Sequence, residues 1–274
     1  MTRIATVVAS ALVLAGCAGG DNEAAAPAWN HDPADASLGP TAWGEIDVSF
    51  EQCRSGESQS PVDIAGAVEA DLPDLVFDYP ETSLVVENTG HVIEARLPED
   101  SGNTLRIADD EYRLIQFHLH APSEHAIDGE PYAAEAHLVH ESEDGELAVV
   151  GVLIHPTGSG PIPLVDAVVE AAPEESGDEA ELEGDRSPAE LLFAFGETTV
   201  AGVPYYTYPG SLTTPGCTEG VRWIVIPGVL PTSRETVDRL HELIAGFPGY
   251  DGYENNNRPR QPLNDRVIQV DPPF

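Results

Sequence analysis

Leu114-Ile115-Gln116-Phe117-His118-Leu119-His120 alternates apolar and polar side chains from Ile115 onward. A period of two is the strand period, so Gln116, His118 and His120 fall on one face and Phe117 and Leu119 on the other. Two imidazoles two residues apart on a strand are able to share a metal ion. A lone His-x-His is equally served by polar positions on a half-wet strand, so the pair needs a third ligand.

The next candidate follows a turn at Asp128-Gly129: Ala134-Glu135-Ala136-His137-Leu138-Val139-His140. As a strand it puts Glu135, His137 and Val139 on one face and His140 on the other. A helix would instead bring His137 and His140 together, and the alanines permit it. Val139 and the neighbouring alternation favour the strand. His118, His120 and His137 are then able to converge as the three-histidine, open-position set of catalytic zinc. Gln116 and Glu135 each precede a histidine by two residues and carry the right chemistry to hold a second ring nitrogen.

Working outward, short runs of period-two alternation dominate: Leu84 to Glu87, Val92 to Leu97 and Leu147 to Ile154, with turns at Asn88-Thr89-Gly90 and Asp144-Gly145. Helical periodicity is present at Leu164 to Ala171 and Ser233 to Ala245, where Thr232 or Ser233 is placed to cap. The fold class is therefore mainly β with a few short helices, in one domain. The Glu- and Asp-rich stretch Pro173 to Arg186 reads as an exposed acidic loop.

The chain has 274 residues, 41% hydrophobic, which suits one large core. Its formal net charge is −36, and it contains no lysine. Such a chain repels nucleic acid and anionic headgroups, so neither is expected as a direct partner. The acidity reads either as an ordinary solvated surface or as adaptation to high salt; a salt titration separates the two.

Residues 1–16 read as an export signal: Arg3 supplies the positive start and Ile4 to Leu14 a short apolar run. Leu14-Ala15-Gly16-Cys17 resembles a bacterial lipobox, which implies cleavage before Cys17 and lipidation of its thiol. Residues 17–40 are rich in Ala, Gly, Asp and Pro and read as a flexible tether, with Trp29 and His31-Asp32-Pro33 placed to touch the domain. The domain proper is then 41–274. The expected location is the outer face of the cell membrane or its periplasmic side, with the bilayer as partner through the anchor. Setting Cys17 aside leaves Cys53 and Cys217, for which export makes a disulfide the expectation.

Taken together, Gln116 to His120, Pro122-Ser123-Glu124-His125 and Ala134 to His140 resemble the α-class carbonic anhydrase signature in order and spacing. Further matches are Gln59 to Ile64, Asn88-Thr89-Gly90-His91, Tyr208-Pro209-Gly210-Ser211-Leu212-Thr213-Thr214-Pro215, Asn257-Arg258-Pro259 and Gln261 to Asn264. The resemblance runs from about Trp43 to the C-terminus. It implies a twisted, mostly antiparallel sheet of about ten strands. The implied activity is reversible hydration of carbon dioxide to bicarbonate by attack of zinc-bound hydroxide, with Zn2+ on His118, His120 and His137.

It also implies that Thr213 is the gatekeeper and Glu124 its acceptor, with Thr214 touching bicarbonate. Val139, Val149, Leu212, Val221 and Trp223 would form the apolar wall for carbon dioxide, and His91 the proton shuttle, an imidazole with a pKa near about 6.5. His125, His140 and Arg258 read as structural. Cys53 and Cys217 fall where bacterial members carry a disulfide. Members often have a tyrosine two residues after the tryptophan of the N-terminal Trp-Gly pair, where its hydroxyl joins the active-site water network; here Trp43-Gly44 is followed by Glu45 and Ile46. The alternative is a non-catalytic zinc-binding or adhesive lipoprotein that keeps the fold.

Overall fold

The computed structural model describes residues 28–156, 163–192, 199–201 and 203–271. Residues 1–27 lie outside these, so the signal and Cys17 have no structural account. The principal strands are β1 (Leu75–Asp78), β2 (Val85–Asn88), β3 (Ile93–Arg96), β4 (Thr104–Ile107), β5 (Asp110–His120), β6 (Ala134–Ser142), β7 (Leu147–Pro156), β8 (Tyr206–Ser211) and β9 (Glu219–Thr232). The helices that pack on them are α1 (Pro163–Ala171) and α2 (Arg234–Ala245).

Among the described residues the main sheet has 13 strands. Ten lie on one continuous path: Glu179–Glu181, β2, β3, β5, β6, β7, β9, β8, Gln269–Val270 and Val68–Glu69. β4, β1 and Thr199–Ala201 branch from the first half of β5. Two joints are parallel, β7 with β9 and Gln269–Val270 with Val68–Glu69; the other joints are antiparallel. The sheet is thus mixed but mostly antiparallel, and larger than the expected ten strands by its branch.

The alternation decides which face is dry. Phe117, Leu119, Ala136 and Leu138 join the main core, which α1 covers with Leu164, Val165, Val168 and Val169 and α2 with Leu240, Leu243 and Ile244. Each such large apolar side chain contributes roughly 1.5–3 kcal/mol by leaving water. The side chains of Gln116, His118 and His120 stand on the opposite face. The doubled apolar pair Leu114-Ile115 marks a β-bulge: Val139 pairs with Gln116 but His140 with Leu114, leaving Ile115 as the extra residue. Without it the core face of the strand's first half would turn toward the histidines.

Ser233 caps α2, its side chain accepting from the Thr236 N–H at 3.0 Å. Two expectations are corrected. The acidic stretch 173–186 is exposed but not merely a loop, because Glu179–Glu181 adds an edge strand to β2. The stretch 17–40 does not stay a free tether: from Trp29 on it folds onto the domain, with Asn30 and His31 buried. Asn30 donates to the Gly249 carbonyl at 3.0 Å, and the Trp43 indole donates to the Asn30 carbonyl at 2.9 Å. Trp29 and His31 touch the domain as expected, and the hydrogen bonds of Asn30 and Trp43 fix the segment between them.

Candidate metal centre and active site

Strand register brings the histidines together. His137 on β6 lies directly opposite His118 on β5, and Glu135 lies opposite His120. Cross-strand partners share a face, so four side chains meet on one patch of sheet. Each imidazole has one nitrogen engaged by the protein. Gln116 Oε1 lies 2.9 Å from His118 Nδ1, and the Asn256 carbonyl 2.8 Å from His120 Nδ1. Glu135 Oε1 lies 3.1 Å from His137 Nε2, in a contact too bent to count as a regular hydrogen bond. One nitrogen per ring is left, and ligand atoms of the three lie within 4.8 Å of one another.

His120 Nε2 is buried without a hydrogen-bond partner. An orphaned imidazole nitrogen is costly unless something else takes it, and a cation does. Burial pushes all three imidazoles below their ordinary pKa, His120 to about 4, so their lone pairs are free. The donor set, two held Nδ1 atoms and one Nε2 contact with a carboxylate, fits a tetrahedral zinc site with one position open.

Behind the histidines lies a buried network. Glu135 Oε2 accepts the Glu124 and His125 N–H groups at 2.9 and 2.8 Å, and its Oε1 lies 2.8 Å from His125 Nδ1. His125 Nε2 and the Tyr208 hydroxyl are 2.7 Å apart, and Tyr208 donates to Ser60 at 3.0 Å. Burial alone would raise the Glu135 pKa, but His125 and His137 hold it well below the carboxylate range. Gly151 pairs with His137, and a Cβ there would sit 2.5 Å from Glu135 Oε1. Only glycine leaves that carboxylate room.

Glu124 is buried, and burial pushes it up to about 7 against the pull of His137 and the Thr213 hydroxyl. Its Oε1 accepts the Arg258 N–H at 2.7 Å. Its Oε2 makes no hydrogen bond of regular geometry and lies 3.7 Å from His120 Nε2. Arg258 itself is buried and donates to the carbonyls of Ser60 and Cys53. Thr213 and Thr214 sit on a tight loop closed by Leu212 N–H to Thr218 O and Cys217 N–H to Thr214 O, each 2.9 Å. Cys53 and Cys217 form a disulfide beside it.

Val139, Val149, Val221 and Trp223 form a second apolar cluster with Leu212 packed against it, distinct from the main core. The Trp223 ring stands 4.8 Å from that of His137. His140 lies on the core face, 2.5 Å from the Tyr79 hydroxyl. His155 and His241 lie elsewhere, near Tyr132 and the Glu254 carbonyl.

Three placements depart from the sequence reading. His91 is not an open imidazole: Trp29 stacks on it at 3.7 Å between centroids, and burial pushes its pKa down to about 4. Glu45, two residues after Trp43, is exposed. The N-terminal aromatic beside the metal centre is instead His31, its ring 6.5 Å from that of His120, with Trp29 packed against it.

Two residues were missed. Asn256 orients His120 through its carbonyl and ties Ala121, Leu119 and His91 through its side chain. Its only sequence signal was adjacency to Asn257-Arg258-Pro259. Glu94 pairs with His118 across β3 and β5, and burial beside Glu87 pushes it up to about 7. Nothing in Val92 to Leu97 distinguishes it from a solvent-facing glutamate.

The family model for eukaryotic-type carbonic anhydrase matches residues 38–272. A carbonic anhydrase of Neisseria gonorrhoeae is 36% identical over 232 residues, covering 84% of this chain and 83% of that protein. Carbonic anhydrase Nec1 of Nesocodon mauritianus is 35% identical, covering 86% and 82%. The α-carbonic anhydrase of Thermovibrio ammonificans, solved with the inhibitor sulfanilamide, superposes with a TM-score of 0.77 at 35% identity, covering 89% of this chain and 99% of that one.

Proposed function

The chain belongs to the eukaryotic-type carbonic anhydrase family and catalyses the reversible hydration of carbon dioxide; we propose that it does so at a zinc ion on His118, His120 and His137, in an exported, lipid-anchored protein. The observation that carries the zinc reading is the set of three imidazoles with one nitrogen each engaged by the protein and ligand atoms gathered within 4.8 Å. Zinc, when bound, supplies the Lewis acidity that makes a hydroxide-strength nucleophile available near neutral pH, as is general in carbonic anhydrases.

The chain's own residues do the rest. Glu124 spends one oxygen on the Arg258 N–H, which leaves the other for the Thr213 hydroxyl. Thr213, having donated, offers only lone pairs, and so orients the nucleophile's proton away from the attack direction. Val139, Val149, Leu212, Val221 and Trp223 give an uncharged, apolar substrate a dry wall. Thr214 stands on the same loop for the charged product.

The second ring of contacts is open to test. Gln116→Ala removes the acceptor that fixes His118, and zinc affinity is expected to fall about 10- to 100-fold. Competition with a coloured chelator measures it; unchanged affinity would show that His118 needs no orienting partner.

Export and anchoring rest on Arg3, the apolar run Ile4 to Leu14 and the Leu-Ala-Gly-Cys17 block. Each buried acyl methylene contributes ~0.8 kcal/mol, so two or three chains hold a domain durably. Cells fed a radioactive fatty acid are expected to label the protein, and Cys17→Ser to lose the label. A labelled serine variant would exclude Cys17 as the anchor.

A further inference from the structure

We propose that the lipid anchor holds the open side of the metal centre toward the bilayer, so that the site meets carbon dioxide as it leaves the lipid. This rests on the hydratase and anchor readings above and adds an orientation to them. The orientation comes from where the chain enters the domain. Ala28 is exposed, and the next residue, Trp29, stacks on His91 at 3.7 Å between centroids. His31 follows, its ring 6.5 Å from that of His120. The main core and its two helices cover the other face of the sheet. On the metal face, Gln116, His118 and Glu94 each keep part of their surface exposed. That is the open side, and the chain enters at its rim.

Chain length makes this entry point a constraint. Only residues 18–27 separate Cys17 from Ala28. Whatever their conformation, a stretch of that length spans at most about 40 Å. A domain of this size is about 45 Å across, so its far pole would lie out of reach even in a straight line. The entry rim therefore stays nearer the lipid than the opposite end of the domain does. Charge works in the same direction. With a formal net charge of −36, the protein is repelled by an anionic leaflet, over a range of about 8 Å at physiological salt. A body pushed away from a surface and held to it by a short chain turns its point of attachment toward that surface.

The substrate suits this placement. Carbon dioxide is uncharged and apolar and crosses lipid, whereas bicarbonate carries a charge that lipid excludes. The apolar cluster of Val139, Val149, Val221 and Trp223 is separate from the main core. Turned to the bilayer, it takes the gas before it spreads into bulk water, and the anion leaves through the water layer between domain and lipid.

The test uses full-length, lipidated, zinc-loaded protein on the outside of phosphatidylcholine vesicles containing phosphatidylglycerol. The probe is an aromatic sulfonamide, either free or coupled to a dextran too wide to pass beneath the domain, and loss of carbon dioxide hydration reports its binding. The comparison protein carries about thirty Gly/Ser residues inserted between Gly20 and Asp21, which extends the reach past the width of the domain. On the natural chain the coupled sulfonamide is expected to associate about tenfold more slowly than on the lengthened one, because fewer directions of approach are open. The free sulfonamide should inhibit both at one rate. Equal rates for the coupled inhibitor on the two proteins overturn the proposal. A protein that hydrates carbon dioxide but does not float with the vesicles overturns the anchor reading and the proposal with it. One that floats without hydrating carbon dioxide overturns the hydratase reading instead, and again the proposal.

Discussion

His118→Ala is expected to leave a folded protein that retains little zinc and hydrates carbon dioxide at least about a thousandfold more slowly, because the metal supplies the nucleophile. The fold should survive, since His118 lies on the side of β5 away from the main core, which is built by Phe117 and Leu119. Removing the ring leaves Gln116 Oε1 without its 2.9 Å partner, but that group is only partly buried and water can reach it. Circular dichroism and metal analysis together separate the outcomes. A zinc-loaded variant with full activity would remove His118 from the centre. A variant that unfolds would show that the imidazole is part of the core.

The second large effect concerns stability. Cys53 and Cys217 are 164 residues apart in sequence, so their bond restricts most of the unfolded chain. On a loop-entropy basis, replacing both with serine is expected to cost about 5 kcal/mol. For a domain of this size that corresponds to a melting temperature lower by roughly 10 °C or more. The same change should reach the site. Cys217 is buried, and its N–H closes the turn that carries Thr213 and Thr214. Cys53 gives its carbonyl to Arg258, whose N–H holds Glu124. The serine variant should therefore lose turnover at temperatures well below its own melting point. Denaturant titration and activity measured on the same samples test both parts. A variant with unchanged midpoint would show that the strand register alone fixes this end of the sheet.

Much of the centre was legible because it is local. Period two over Ile115 to His120 and Glu135 to Val139 places each ligand on its face whatever the rest of the chain does. Gln116 and Glu135 were legible for the same reason, two residues from the histidines they serve. Asn256 was not, because it meets His120 across 136 positions and acts through its carbonyl, a group every residue has. The bulge at Ile115 left a trace, the doubled apolar pair, which the alternation argument passed over.

The N-terminal stretch was read only in part, for a different reason. Its composition is that of a tether, and although Trp29 and His31 were expected to touch the domain, average composition does not report that Asn30 and His31 become fully buried there. The same packing changed His91. An imidazole after a turn reads as a freely titrating group, whereas under Trp29 it loses solvation and is a weak proton acceptor.

By itself the sequence determined the ligand chemistry, the strand character, the helices and the pairing of the two cysteines expected of an exported chain. Those follow from side-chain type and short-range period, which do not depend on distant contacts. Only the tertiary structure decided which imidazole nitrogens are free, that Glu135 is held by backbone N–H groups from Glu124 and His125, and that His31 rather than Glu45 stands beside His120. These depend on register and on burial, and both are set by the whole sheet closing on its core.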